Sequence, residues 1–276
     1  MRLRLRGLQV YRLGPAEKEE PLYRLELLGS YNEVPCRSQS LKIVAFSDWR
    51  VQGIGGLIRF LKAQRGTPDL IVYAGDDIQR FRPPGKNLFE DIAKLSKFGL
   101  CAVAGNDDTA ATRELICGRG VHQVHSLALV LGRFAVVGVE GAPLFPNDSE
   151  GRNRGHLLYP ERVLSCHMRA WNSNALNHKK LIVVSHAPPF GVLDFAVRFG
   201  PRHIGNRPLR EFLESSSHSL LCICGHVHRC GGQSTELRNV QVVNVASHDR
   251  PGESGRVAVI QIRTERVSAI AWHLLS

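Results

Sequence analysis

The reading of this chain turns on Leu70-Ile71-Val72-Tyr73-Ala74-Gly75-Asp76-Asp77. Five residues that are apolar on both alternating faces fit a strand buried inside a layered sheet, because a half-exposed strand would alternate apolar and polar. The run stops at a glycine and two carboxylates, so acidic groups stand at the carboxyl end of that strand. Working outward, the same arrangement recurs in both directions. Residues 42–46 lead into Ser47-Asp48-Trp49-Arg50, and residues 100–104 into Gly105-Asn106-Asp107-Asp108. Farther along, residues 181–184 lead into Ser185-His186-Ala187-Pro188-Pro189, and residues 220–224 into Gly225-His226-Val227-His228.

Asp48 and Asp76 lie 28 positions apart, and Asp76 and Asn106 lie 30 apart. That is about the length of a strand, a helix and a returning parallel strand. The intervening segments carry apolar residues at helical spacing: Ile54, Leu57, Ile58 and Leu61 within residues 53–64, and Leu88, Ile92 and Leu95 within residues 87–97. An α/β fold follows, with the polar blocks lining one sheet edge, where open α/β sheets place their sites.

Carboxylates, an amide and imidazoles gathered from several strand ends are the donors that a pair of borderline divalent cations needs, including a carboxylate to bridge the two. Each residue has a plainer use. Asp48, Asp76 and Asn106 would serve as helix caps, and His186 and His226 as hydrogen-bonded core histidines. Caps require no matching histidines, and two separate strand ends that deliver histidines to one edge favour metal.

The five blocks in this order resemble the calcineurin-like metallophosphoesterases, whose pattern runs Asp-x-His, Gly-Asp, Gly-Asn-His-Asp/Glu, a lone His and Gly-His-x-His. Within that superfamily, Gly-Asn-Asp-Asp-Thr, Ser-His-Ala-Pro-Pro-Phe-Gly and Cys-Gly-His-Val-His are similar to the Icc-related predicted phosphoesterases. The resemblance covers residues 41 to about 265. It implies a four-layer α/β/β/α sandwich, with Asp76 bridging two metals, Asp48 and His228 on the first, and Asn106, His186 and His226 on the second. It further implies a phosphomonoesterase or phosphodiesterase in which a metal-activated hydroxide attacks phosphorus, with one or two Mn, Fe or Zn ions per chain.

Two positions depart from the pattern. Arg50 stands where the first-site His is expected, and a guanidinium has no lone pair to give a metal. The first site is therefore weakened, or Arg50 itself clamps a phosphate oxygen. Asp107 stands where many members carry a His that protonates the leaving group; a carboxylate beside metals is a poor acid, so leaving groups that need little protonation are expected. His203, His248 or water are the substitutes to consider. The wording Asn244-Val245-Ala246-Ser247 also departs from the Asn-Pro-Gly turn of relatives. These departures leave open a catalytically degenerate, protein-binding scaffold of the same fold, or a nuclease.

The bulk properties set the limits. With 276 residues the chain is long enough for one large core. Residues 41–276 are expected to form the catalytic domain, and residues 1–40, with their alternating Arg and Leu, a β-hairpin-like extension that covers a sheet edge. A net charge of +11 favours polyanions, yet the basic residues are scattered and no nucleic-acid module is recognisable, so a phosphorylated small molecule or nucleotide-like substrate is expected. No apolar stretch is long enough for a membrane helix. Seven cysteines, an odd number placed mainly within strands and helices, point to free thiols and a cytoplasmic protein.

Overall fold

The computed structural model describes residues 31–275 apart from 37, 51–52, 126, 146–154, 173–175, 198–199, 249 and 251. Two sheets lie face to face. The six-stranded sheet runs in the order Arg266–Leu275, Gly255–Arg263, Ser40–Phe46, Leu70–Tyr73, Leu100–Ala102, Val121–Gln123. The seven-stranded sheet runs Tyr31–Val34, Ala128–Leu131, Phe134–Val139, Lys180–Ser185, Ser219–Cys224, Val240–Asn244, Gln233–Leu237.

Because the central strands are apolar on both faces, each sheet buries one face against the other sheet and one against helices. Ile43, Ala45 and Val72 meet Val136, Val184 and Ile223 in the layer between the sheets. On the far face of the six-stranded sheet, Val44, Phe46, Ile71 and Tyr73 pack against Leu57 and Leu61 of helix Ile54–Lys62 and Phe89 and Ile92 of helix Leu88–Ala93. On the far face of the other, Val137, Val183 and Cys222 pack against Leu164 and Met168 of helix Glu161–Arg169 and Leu209 and Phe212 of helix Arg207–Ser215. The result is the expected α/β/β/α sandwich. Each fully buried Leu, Ile or Phe among these contributes on the order of 1.5–3 kcal/mol.

Three expectations need correction. The polar blocks do not line one sheet edge: Asp48, Asp76 and Asn106 follow adjacent parallel strands of the six-stranded sheet, whereas His186 and His226 follow adjacent parallel strands of the other. An apolar run reads the same in either sheet, so spacing within the first three blocks could not show the change of sheet. The C-terminal strands, whose pattern reads as antiparallel strands completing a second sheet, divide between the two sheets. Val240–Asn244 joins the seven-stranded sheet beside Ser219–Cys224, while Gly255–Arg263 and Arg266–Leu275 extend the six-stranded one. The helices are also shorter than the periodicity suggests, the second ending at Ala93, where the turn Leu95 N–H to Ile92 O begins. Of the expected N-terminal extension, residues 1–30 lie outside the described residues; Tyr31–Val34 pairs in parallel with Ala128–Leu131.

Candidate metal centre

At the carboxyl end of the paired sheets, three residues of the site sit in left-handed backbone: Asp48 at φ 53°, Asp76 at φ 68° and His226 at φ 67°. Non-glycine residues adopt that region at a cost, and they hold it only where the surroundings fix them. Here neighbouring strand ends do so. Asp48 N–H donates to Gly75 O at 3.0 Å, and Gly225 N–H to His186 O at 2.9 Å. Two glycines are needed for closeness: a methyl group at Gly105 would overlap Asp76 Oδ1, and one at Gly225 would overlap Ser47 Oγ. The glycines of the Gly-Asn and Gly-His blocks are thus what lets one strand end lie against the next.

None of the three candidate caps is a cap. Helix Ile54–Lys62 begins at Gly53 without a side-chain cap. Asp48 instead accepts His226 N–H on Oδ2 at 3.1 Å, and its Oδ1 lies 3.1 Å from His228 Nε2. Asp76 Oδ1 accepts Asp107 N–H at 3.0 Å. His186 Nδ1 lies 2.8 Å from Ala74 O; a carbonyl only accepts, so Nδ1 carries a proton, and in the neutral ring, the form that binds a metal, the Nε2 lone pair faces inward. That lone pair meets two further acceptors, Asn106 Oδ1 at 2.9 Å and Asp76 Oδ2 at 3.5 Å. The Asn106 amide is turned this way because its Nδ2 donates to Asp107 Oδ1 at 2.8 Å. His226 completes the wall, its ring 5.1 Å from that of His186.

With His186 neutral and Asp76 ionised, as metal ligands are, these acceptors face one another across 2.9–3.5 Å, the separations of ligand atoms around one ion with bonds of about 2.0–2.2 Å. Atoms of Asp48, Asp76 and His186 all lie within 4.8 Å of one another. Electrostatics agree. Burial and the charges of Asp48, Asp107 and Asp108 push the Asp76 pKa well above its ordinary range, the sign of a carboxylate crowded by its own kind. Burial and the neighbouring His186 lower the His226 pKa to about 3, which keeps its imidazole neutral, as a ligand must be. The residues present therefore fit a divalent cation.

The family is decided by sequence as well as by shape: residues 41–230 match the family model for calcineurin-like phosphoesterases. The chain belongs to that family. It is 26% identical over 216 residues to an uncharacterized protein, MJ1162, of Methanocaldococcus jannaschii, covering 74% of this chain and 87% of that one. It is 28% identical over 194 residues to a probable glycerophosphodiester phosphodiesterase, GpdQ, of Arcobacter nitrofigilis, covering 65% of this chain and 63% of the relative. Among solved structures, TT1561 of Thermus thermophilus superposes with a TM-score of 0.58 at 17% identity, over 85% of this chain and 98% of that one. A dimetal phosphatase from Danio rerio does so with 0.52 at 13% identity, over 86% and 96%; both likenesses concern the fold. The protein is a metal-dependent hydrolase of phosphoester bonds.

Within this phosphoesterase the departures from the family pattern have a definite geometry. Arg50 Nη2 lies 2.7 Å from Asp107 Oδ2 and 3.3 Å from Asp76 Oδ2, and its Nε lies 2.9 Å from Asp77 Oδ2. Partial burial alone would lower the Arg50 pKa, but the bond to Asp77 and the three carboxylate charges outweigh it and raise the pKa above its ordinary value. Of the substitutes for the missing acid, His248 lines the cleft, whereas His203 does not: its Nδ1 binds the buried Asp194 at 2.6 Å. Two positioning roles lie beyond the sequence reading, one of them at the Asn244 turn it singles out. Asn244, fully buried, donates through Nδ2 to Gly225 O and Val227 O at 3.2 and 3.3 Å and accepts Ala246 N–H at 3.0 Å, so it braces the Gly-His-Val-His loop without the Pro-Gly that follows in relatives. His156 Nδ1–H donates to Asn106 O at 3.0 Å, and it comes from a Pro- and Gly-rich loop that carries no periodicity by which to place it. Cys222 and Cys224 lie buried on one strand face among helix residues, and all seven cysteines are free thiols.

Proposed function

We propose that the protein hydrolyses a phosphomonoester or phosphodiester of a small or nucleotide-like molecule, with one firmly held divalent ion and a weakened first metal position. The reading rests on the convergence of the His186, Asn106 and Asp76 acceptors at 2.9–3.5 Å, which asks for a cation. Asp76, Asn106, His186 and His226 would hold that ion, while Asp48 and His228 offer a second position that Arg50 leaves short of a ligand. When bound, a divalent ion such as Mn, Fe or Zn supplies Lewis acidity toward a phosphoryl oxygen and lowers the pKa of water.

The chain's own residues do the rest. Arg50 brings a permanent positive charge to the same carboxylates. Its Nε and Nη2 are taken by Asp77, Asp76 and Asp107, which leaves Nη1 for a phosphoryl oxygen. Arg229 and Arg250 line the same cleft, beside His248, and their charges favour an anion entering it. Asp107 uses both oxygens as acceptors, from Arg50 and from Asn106. It therefore orients those groups instead of protonating a leaving group, and esters with good leaving groups turn over best. The test is hydrolysis of bis(p-nitrophenyl) phosphate and p-nitrophenyl phosphate with added manganese. Turnover that a chelator abolishes and manganese restores supports the reading; turnover indifferent to both contradicts it.

A further inference from the structure

The cleft in front of the centre encloses about 610 Å³. That lies inside the roughly 300–1,000 Å³ of pockets that take drug-sized ligands, so the cleft is built for more than an isolated phosphate. One side of it is the candidate metal centre with Arg50 and Asp107. Its lining also includes Ala196, Val197, Ile204 and Arg229, and Phe195 adjoins it in sequence. Val197 is 53% exposed and the adjacent Phe195 38%; among the described residues only Leu274 joins them as an exposed large hydrophobic, and it lies on a sheet edge strand. The Arg229 guanidinium stands 5.6 Å from the centre of the Phe195 ring. Exposed apolar side chains next to a guanidinium plane make a surface on which a flat heterocycle stacks, by dispersion against the hydrophobes and by cation–π attraction to the arginine.

We infer that this surface is a subsite for the planar, nucleobase-like group of a nucleoside-bearing phosphoester, with Phe195, Val197 and Arg229 as its specificity-determining residues. The inference rests on the phosphoesterase reading and narrows its substrate class. Three esters that share one leaving group separate the possibilities in the full-length, manganese-loaded protein: p-nitrophenyl thymidine 5′-phosphate, methyl p-nitrophenyl phosphate and glycerol p-nitrophenyl phosphate. The nucleoside ester is expected to exceed the methyl ester by about tenfold or more in kcat/KM, the gain of one stacked base, and the glycerol ester to match the methyl ester. Phe195→Ala and Val197→Asp each reduce that ratio severalfold; because it is taken within one variant, loss of folded protein cancels. A ratio near one in the wild type, a ratio that survives both substitutions, or a preference for the glycerol ester overturns the inference. Turnover of none of the esters is the failure of the phosphoesterase reading. Equilibrium dialysis then decides the subsite by itself: thymidine 5′-monophosphate binding about tenfold tighter than inorganic phosphate, a difference lost in Val197→Asp, upholds it, and equal binding rejects it.

Discussion

At the end of strand Leu70–Tyr73, Asp76 is surrounded by Arg50, His186 and Asn106; at the end of strand Phe134–Val139, Glu140 is surrounded by Arg113, His125, Tyr159 and His167. The residue types are nearly the same and both carboxylates are buried. What differs is the direction of the hydrogens. Around Glu140, donors aim at the carboxylate: Arg113 Nη1 at 3.0 Å, the Tyr159 hydroxyl, and His125 Nε2 at 3.6 Å, protonated because Nδ1 accepts Glu140 N–H. His167 spends its Nε2–H on Gly138 O at 2.8 Å. That cluster supplies its own positive charge and pins the helix Ala110–Arg113 that follows the Asn106 block. Around Asp76, His186 gives its Nδ1 hydrogen to a backbone carbonyl and aims Nε2 at two acceptors, so that a proton or a metal ion must stand between them. A list of acids and histidines does not tell the two apart, whereas the placement of each proton does.

The contrast breaks most easily at His186. His186→Ala should remove the bound metal and lower turnover by roughly a thousandfold or more, since the ion carries the chemistry; metal analysis and steady-state rates check both, and retained turnover would reject the assigned site. The Glu140 cluster should respond in stability and not in metal. Glu140→Ala leaves Arg113 without its buried partner, at a cost of about 3 kcal/mol. In a domain of this size that lowers Tm by roughly 6–12 °C, with the metal content of the folded protein unchanged; a loss of metal would mean that the two clusters are one site.

Acid sharpens the same comparison. Burial, together with Arg113 for His125 and with His125 for His167, lowers both histidine pKa values to about 3. Their ordinary value is about 6.5, so below that pH the unfolded chain takes up protons that the native cluster refuses. Stability is at its full value above about pH 6.5 and falls as the pH drops toward 3, by at most about 1.4 kcal/mol per pH unit for each histidine. Urea unfolding of the metal-free protein between pH 7 and 4.5 should show the decline, with a smaller slope in His167→Gln; an identical slope in that variant would contradict the assignment.

Much of this was legible in the sequence, for a physical reason. Runs apolar on both faces mark buried strands wherever they occur, and the three early blocks were placed correctly on adjacent parallel strands because a βαβ unit has a nearly fixed length. The change of sheet between Asn106 and His186 was not legible, since a two-faced apolar strand fits either layer. Nor were Asn244 as a loop brace and His156 beside Asn106, whose roles depend on contacts between distant segments. Arg50 is recognisable as a departure, but that its side chain joins those of Asp76, Asp77 and Asp107 follows only from the fold.

Arg50 is also where the account is most exposed. A positive charge already paired with Asp76 and Asp107 should keep the Asp48–His228 position weakly occupied, and an imidazole in its place should restore a ligand. The deciding measurement is the number of divalent ions per chain after gel filtration, by elemental analysis, in wild type and Arg50→His. The account predicts close to one ion in the wild type and close to two in the variant. Two firmly held ions in the wild type, or the same count in both proteins, would contradict it.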